Sequence, residues 1–200
     1  MGRRSVHTPE ELRQLILQAA TELIASAGFS ALSAREIARR IGYSAGTIYN
    51  VFDNLDDLVL TIEARMLDEL AKSLDSVPAT GEARERVMQF AEAYLQFTHD
   101  NPRLWNLLFE HHLPEGIEVP ISYREKLDGL LARVETALAP LVPENDQDGL
   151  QRRARVLWAG VHGITSLSTA DKLSSVTSEA ALPMVRDLVS TYLDGLAGQR

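Results

Sequence analysis

The sequence of 200 residues contains no cysteine and no long hydrophobic run. Without cysteine the chain has no disulfide framework, no thiolate metal ligand and no cysteine nucleophile, which agrees with a reducing compartment. No stretch approaches the roughly 18 consecutive apolar residues that a membrane-spanning helix needs. A secretory signal would have an apolar segment after Arg3 and Arg4, and this sequence has none there. These absences predict a cytoplasmic protein that does not associate with membranes.

Several sequence patterns that are typical of enzymes are also missing. The chain has no Gly-x-Ser-x-Gly elbow, no phosphate-binding glycine loop and no His-x-x-x-His zinc spacing. His111 and His112 are adjacent, and adjacent side chains on a helix point about 100° apart, so they rarely bind one metal. The acidic pairs Asp56-Asp57 and Asp68-Glu69 are interpreted as helix-start charges and solvated faces. We therefore expect no catalytic site, no metal and no cofactor.

Residues 33–52 have instead the pattern of two short helices joined by a tight turn. Ser33 and Glu36 have the spacing of a capping box, in which each side chain bonds the backbone amide of the other residue. Gly42 is expected to end the first helix, because a left-handed conformation costs glycine almost nothing. Ser44 is expected to cap the second helix. This geometry places a helix in the major groove of DNA.

Three further positions support the helix-turn-helix. Ala38 provides a small side chain where the helices cross, Gly42 provides the turn, and Ile48 provides a branched apolar anchor. Each of these signals is common in helical proteins when it occurs by itself. Their combination within one segment is specific, and it predicts a DNA-binding domain.

The net charge of −8 is unevenly distributed along the chain. Residues 1–52 contain six arginines and four glutamates, a local charge of +2, whereas residues 53–200 carry −10. An acidic body repels DNA, so we expect the chain to contact DNA through its mildly basic head.

Almost every segment has helical periodicity, and neither an alternating strand pattern nor an internal repeat is present. We predict an all-α fold of about nine helices. A helix-turn-helix domain is expected over residues 1–54, followed by a larger helical ligand-binding and dimerisation domain over residues 55–200. The long helices are expected at about 9–27, 55–77, 82–99, 102–112, 121–139, 147–169 and 179–197.

The first 60 or so residues resemble the tetracycline-repressor (TetR) family of bacterial transcriptional regulators. The likeness rests on Ala27-Gly28-Phe29 at the end of the first helix, on the helix-turn-helix segment, and on residues 46–52 leading to Leu58. It implies a homodimeric repressor that leaves a palindromic operator when a small molecule binds. A dimer would place two recognition helices roughly 34 to 36 Å apart, one turn of double-stranded DNA.

The resemblance identifies the second short helix as the recognition helix. It implies that the residues facing bases or phosphates are Arg35, Ser44, Ala45, Gly46, Thr47, Tyr49 and Asn50. One position departs from the family pattern, because Leu55 stands where a phosphate-binding lysine is usual. Either phosphate affinity is lower than usual, or it depends more on the arginines Arg3, Arg4, Arg39 and Arg40.

Residues 82–112 are rich in aromatic and apolar side chains at helical spacing. Such a set forms either an ordinary packed core or the lining of a cavity between helices, and periodicity leaves both interpretations open. The resemblance favours an effector cavity. Its expected lining, with more distant helices included, is Met88, Tyr94, Trp105, Phe109, His112, Trp158 and His162.

A second resemblance lies at residues 157–163, which are similar to the Trp-x-x-x-His-Gly signature of one subgroup of TetR C-terminal domains. Trp158 and His162 are four residues apart, so the imidazole can stack on the indole. His162 is interpreted as an interface or core residue, with effector contact as the alternative. The family also uses its last two helices for dimerisation, and the final helix offers the stripe Val185, Leu188, Val189, Tyr192 and Leu196.

Two alternatives to an effector-released repressor stay open at this point. A regulator controlled by a partner protein would keep the same head and dimer but would fill the cavity with side chains. An activator would use the same DNA-binding residues, since nothing in them excludes activation.

Overall fold

The computed structural model describes residues 7–143 and 146–198, so Arg3 and Arg4 lie outside the described residues. Within these ranges the chain forms nine α-helices and three short 3-10 helices, with no strand. The predicted all-α fold is confirmed. No helix in the described ranges is long and apolar enough to cross a membrane.

The long helices begin and end within two residues of their predicted bounds. In chain order the helices are α1 (Pro9–Ala27), α2 (Ala34–Ile41), α3 (Ala45–Tyr49), α4 (Leu55–Asp75), α5 (Ala83–Asp100), α6 (Pro102–Glu110), α7 (Ile121–Leu138), α8 (Gln147–Thr169) and α9 (Ala181–Ala197). A 3-10 helix over Phe29–Ala31 follows α1.

The chain divides into two compact units. The first comprises Met1–Met66 and Arg103–Glu118, and the second comprises Leu67–Pro102 and Val119–Arg200. Helix α6 therefore belongs to the unit of the first helices, although it is distant from them in sequence. The predicted functional boundary between residues 54 and 55 stays a prediction.

The core of the first unit is formed by the inner faces of α1, α2, α3 and the start of α4. Ile16, Ile24, Ile37, Ile48 and Leu58 are all 0% exposed. Each fully buried side chain of this size contributes about 1.5–3 kcal/mol relative to an exposed one. This core holds the short helix α3, which is too short to be stable in isolation.

The start of α1 is fixed by a capping box that was not predicted. The Glu11 amide donates to the Thr8 hydroxyl at 3.2 Å, and the Thr8 amide donates to the Glu11 carboxylate at 2.7 Å. Pro9 occupies the first turn, where a missing N–H is harmless.

The capping box predicted at α2 is only half correct. The Glu36 amide donates to the Ser33 hydroxyl at 3.2 Å. The Glu36 carboxylate instead binds Arg39 at 2.6 Å and Arg40 at 3.4 Å. Charge-assisted bonds to arginines three and four residues ahead are stronger than a bond to a neutral amide, which explains the difference.

The core of the second unit is built around α5, which packs against α7, α8 and α9. Val185 and Val189 of α9 are 0% exposed. Val185 and Val189 therefore belong to the core of their own chain, whereas Leu188 and Tyr192 are half-buried. The contribution of α9 to a dimer surface stays a prediction. Gly160 of α8 makes this packing possible, because a Cβ there would lie 2.9 Å from the Leu188 side chain.

Candidate DNA interface and effector-binding residues

The turn before the recognition helix has the predicted conformation. Gly42 follows α2 with φ 75° and ψ 28°, which is the left-handed region that glycine adopts easily. The Tyr43 amide donates to the Ala38 carbonyl at 2.9 Å, so the helix end is satisfied as the chain reverses. The turn is thus fixed by backbone geometry and Ile48 by burial, and together they orient α3.

The predicted DNA-contacting residues lie at and before α3. Ile48 is completely buried, whereas the neighbouring Tyr49 is 52% exposed, which is unusual for a large aromatic side chain. The exposed residues of the set are Arg35, Ser44, Gly46, Tyr49 and Asn50, and the half-buried ones are Ala45 and Thr47. Helix α3 therefore presents a mostly polar surface to the solvent while its apolar anchor faces inward.

Ser44 stands at the N-cap position of α3 but does not cap it through its side chain. Its hydroxyl lies 3.0 Å from the Thr47 hydroxyl, and this contact replaces the expected bond to a backbone amide. The Thr47 amide donates instead to the Ser44 carbonyl at 3.0 Å. The two hydroxyls thus form one polar group at the start of the recognition helix.

The arginines of α2 differ in how they are held. Arg39 is 70% exposed and pairs with Glu36, and the Arg39 hydrogen bond lowers the pKa of Glu36 to about 2. Exposed pairs of this kind contribute little to stability because water screens them, so a phosphate can displace the carboxylate. Arg35 makes no ion pair within the described ranges. Arg35, Arg39 and Arg40 are all exposed.

Leu55 opens α4 in an acidic setting. The Asp57 amide donates to Asn54 Oδ1 at 2.8 Å, and the Asp53 amide donates to the Asp57 carboxylate at 3.1 Å. Asp57 thus acts as a helix-start charge, as predicted. No lysine or arginine stands among residues 53–57 to replace the missing lysine.

The second unit brings three of the predicted effector residues together. The Trp158 and His162 rings stack with centroids 5.1 Å apart and planes 9° apart, as their spacing predicts. Tyr94 Oη lies 2.8 Å from His162 Nδ1. Burial lowers the pKa of His162, so its ring is neutral at neutral pH. The cluster presents an indole, a phenol and a neutral imidazole side by side.

The other predicted effector residues lie elsewhere. Met88 is half-buried on α5 in the second unit. Trp105 and Phe109 lie on α6 in the first unit with ring centroids 6.0 Å apart, and Trp105 is 3% exposed while Phe109 is 45% exposed. His112 follows α6 and is exposed. The structure thus places four of the seven residues in the second unit and three in the first.

The sequence did not point to the partners of α6. The Arg103 guanidinium donates to the carbonyls of Ala25 and Ser26 at the end of α1. The His111 ring lies between Glu63 and Asp56 of α4. These contacts join residues far apart in sequence, so no local pattern announces them.

Two family models match the chain. Residues 16–62 match the model described as bacterial regulatory proteins, tetR family. Residues 87–192 match the tetracyclin repressor-like C-terminal domain. These matches cover both the helix-turn-helix and most of the second unit. Neither one bears on the Trp-x-x-x-His-Gly subgroup, which stays a prediction.

Two relatives are similar to this chain in sequence, and one solved structure shares its fold. An uncharacterized HTH-type transcriptional regulator, Rv0681, of Mycobacterium tuberculosis is 24% identical over 88% of this chain and 79% of its own length. The HTH-type transcriptional activator FasR of Mycolicibacterium smegmatis is 30% identical over 55% of this chain and 51% of its own length. A solved structure of a protein of unknown function from Rhodococcus sp. RHA1 has a TM-score of 0.78 and 22% identity, covering 98% of this chain and 100% of that one.

Proposed function

Because the chain belongs to the TetR family of bacterial regulatory proteins, we propose that it is a homodimeric repressor that leaves a palindromic operator when a small molecule binds. The coarser statement, a transcriptional regulator with a DNA-binding helix-turn-helix, follows from the family itself. We further propose that the protein represses transcription, that an effector releases it from DNA, that its operator is palindromic and that it acts in the cytoplasm. Nothing in the proposal calls for catalysis.

One observation carries the DNA-binding proposal: the contrast between the two sides of α3. Ile48 is 0% exposed and anchors the helix, while Tyr49 is 52% exposed beside it. A large aromatic side chain held at the surface of a rigid element is suited to contact a partner. We assign Tyr49 and Asn50 to the phosphate backbone, and Ser44 and Thr47 to bases or phosphates.

The proposed effector site includes the cluster of Tyr94, Trp158 and His162. A stacked indole and imidazole provide a flat apolar surface, and the phenol and imidazole provide hydrogen-bonding groups without a fixed charge. An effector would release DNA by binding better to the conformation in which the recognition helices are misplaced. Helix α4 runs through both units and is suited to transmit this change.

We propose that the dimer surface formed by the last two helices includes an exposed apolar stripe of α8. Val156 is 53% exposed and Leu167 is 39% exposed on α8. Ala159 and Gly163, which are also exposed, lie between them at helical spacing. The four residues form one apolar stripe in which two small residues allow a second helix to approach closely. We propose that this stripe meets its copy in the partner chain.

A second candidate function is transcriptional activation. FasR, which is 30% identical over 55% of this chain, is named an activator. The same helix-turn-helix and dimer would serve either role, so the difference lies in where the operator stands relative to the promoter. Measuring transcription of the target gene with and without the protein separates the two roles.

The test of the proposal is a genome-wide selection of DNA fragments by the purified protein at several salt concentrations. We expect a short palindrome whose affinity falls steeply as salt rises, because phosphate contacts release counterions. Absence of enrichment at every salt concentration would contradict the proposal. Adding small apolar compounds to the recovered complex then tests release, and control by a partner protein predicts that none of them acts.

A further inference from the structure

We propose that Arg13 of α1 is a positioning residue for DNA binding, which holds the end of the recognition helix without contacting DNA itself. This inference rests on the proposed DNA-binding function. Arg13 lies outside the predicted DNA-contacting set, and it acts on α3 through residues 51 and 52, which follow the helix. All of these residues belong to the first unit.

The Arg13 guanidinium makes two contacts with the residues that follow α3. Its Cζ lies over the Phe52 ring, 4.3 Å from the ring centroid. Its Nη1 donates to the Val51 carbonyl at 3.3 Å. Arg13 is half-buried, and Phe52 is 2% exposed. One side chain of α1 therefore holds the backbone of one residue and the ring of the next.

The same guanidinium also reaches α4. Its Nη2 lies 3.5 Å from Thr61 Oγ1, which is a long contact. The Thr61 hydroxyl donates its own hydrogen to the Asp57 carbonyl at 2.8 Å, so its oxygen faces Arg13 as an acceptor. Arg13 thus lies between the end of the recognition helix and the second turn of α4.

The end of α3 needs support from outside because the helix is short. Helix α3 has five residues, whereas an isolated helix needs roughly 12–15 residues to be stable. The Val51 and Phe52 amides both donate to the Ile48 carbonyl, at 3.1 Å and 3.0 Å, and Arg13 then binds the Val51 carbonyl. Fixing this carbonyl restricts the direction in which the chain leaves α3. It therefore preorganises the exposed Tyr49 for contact with DNA.

The geometry calls for arginine rather than for positive charge alone. A guanidinium is planar, so its face can stack on an aromatic ring while its N–H groups donate in other directions. A lysine ammonium is a point charge on a flexible stem and cannot hold both contacts in one arrangement. Contact with a phosphate would depend on the charge, whereas positioning depends on the planar shape. The two roles therefore predict different outcomes for the same substitutions.

The first test measures operator affinity for the full-length protein, with a duplex that carries the selected palindrome. Arg13→Met and Arg13→Lys are each expected to lower the affinity about tenfold, because neither residue holds both contacts. Arg65→Met removes the same charge from an exposed position of α4 and should bind as the wild type does. Wild-type affinity in Arg13→Met, or full affinity in Arg13→Lys, would overturn the inference.

Salt dependence separates positioning from direct contact with a phosphate. The slope of log affinity against log salt concentration reports the number of phosphates that cations of the protein neutralise. We expect Arg13→Met to keep the slope of the wild type, since the lost guanidinium meets no phosphate. A slope reduced by about one per chain would mean that Arg13 binds a phosphate, and it would overturn the inference.

The second test observes the protein without DNA. In Arg13→Met and in the more conservative Arg13→Lys, amide hydrogen exchange measured by NMR should accelerate severalfold more at residues 51 and 52 than at the core residues Ile24 and Ile37. Equal acceleration at both places would mean that Arg13 stabilises the whole domain, and unchanged exchange would mean that it does not hold α3. Either result overturns the inference. Failure of the wild type to bind any duplex would count against the proposed function, and the exchange measurement would still decide whether Arg13 holds α3.

Discussion

At the residue scale, neighbouring side chains of α3 have different roles: one anchors the helix to the core, and the next is exposed to solvent. Ile48 is 0% exposed and holds the helix to the core, whereas Tyr49 beside it is 52% exposed. Gly42 turns the chain and Gly46 lies on the outer surface. Substitutions on the outer surface should therefore alter DNA binding without destabilising the fold. Substitutions of Ile48 should lower stability, and they should weaken DNA binding only because α3 is no longer held in place.

Tyr49→Ala is expected to lower operator affinity by about tenfold or more, because one backbone contact per subunit is lost. Thr47→Ala should have a similar effect. Fluorescence anisotropy measures the affinity, and sedimentation checks that the dimer is intact. Thr136→Ala, at an exposed position of α7, serves as the matched control. Unchanged affinity in both variants of α3 would contradict the docking proposed here.

Gly46→Ala separates folding from DNA binding. A Cβ at this position would meet only the Ser44 hydroxyl, at 3.8 Å, so the folded chain has room for it. Alanine also has a helix propensity about 1 kcal/mol better than glycine. We expect unchanged or higher thermal stability together with weaker operator binding, since a methyl group would stand where the backbone approaches DNA. Wild-type affinity in this variant would show that Gly46 does not face the DNA.

The buried ring of His162 predicts a stability change at acidic pH. Burial lowers its pKa in the folded state below the ordinary value of 6.5, so the unfolded chain binds a proton first as pH falls. The neutral ring's contribution to the free energy of unfolding is thus fully present above about pH 6.5, and it is lost on acidification. The thermal unfolding midpoint of the wild type should therefore fall more steeply than that of His162→Phe as the pH is lowered from about 6.5 to 5. Parallel declines would contradict the neutral assignment.

At the scale of elements, the burial of side chains on α8 and α9 refines the predicted dimer surface. The apolar stripe of α9 is regular in sequence, but Val185 and Val189 are buried against other helices of the same chain. The exposed stripe is that of α8, from Val156 to Leu167. The α8 stripe is therefore added to the predicted dimer surface of the last two helices.

Val156→Glu is expected to convert the dimer to monomers at micromolar concentration, because each chain would bring a charge into an apolar contact. Its fold should be retained, since Val156 is 53% exposed in the single chain. Light scattering coupled to gel filtration measures the mass. Val176→Glu, at a position 69% exposed and outside α8, is the matched control. A dimer of unchanged strength would place the interface elsewhere.

Local signals explain which features the sequence predicts well. Pro9 and Gly42 fix helix ends through their own backbone preferences, so the helix bounds follow from short windows of sequence. The second partner of Glu36 was predicted wrongly, because Arg39 and Arg40 compete with the backbone for its carboxylate. The bridge from His111 to Glu63 spans 48 positions and has no local signature. Pairing between residues so far apart in sequence depends on the folded structure.

At the scale of the whole molecule, the charge distribution and the family both favour binding to DNA through the N-terminal helix-turn-helix. The chain carries −8 overall, but its first 52 residues carry +2. An acidic body discourages non-specific contact with DNA, so binding should depend on the two recognition segments of a dimer. The missing lysine at Leu55 lowers the number of available cations further. We therefore expect strong discrimination between operator and random DNA.

The most direct measurement is the affinity for the selected palindrome and for a scrambled duplex across a range of salt concentrations. The account predicts two chains per palindrome, a steep loss of affinity with salt, and little binding to the scrambled duplex. Equal affinity for both duplexes, or one chain bound without cooperation from a second, would contradict the central claim that this protein is a sequence-specific dimeric regulator.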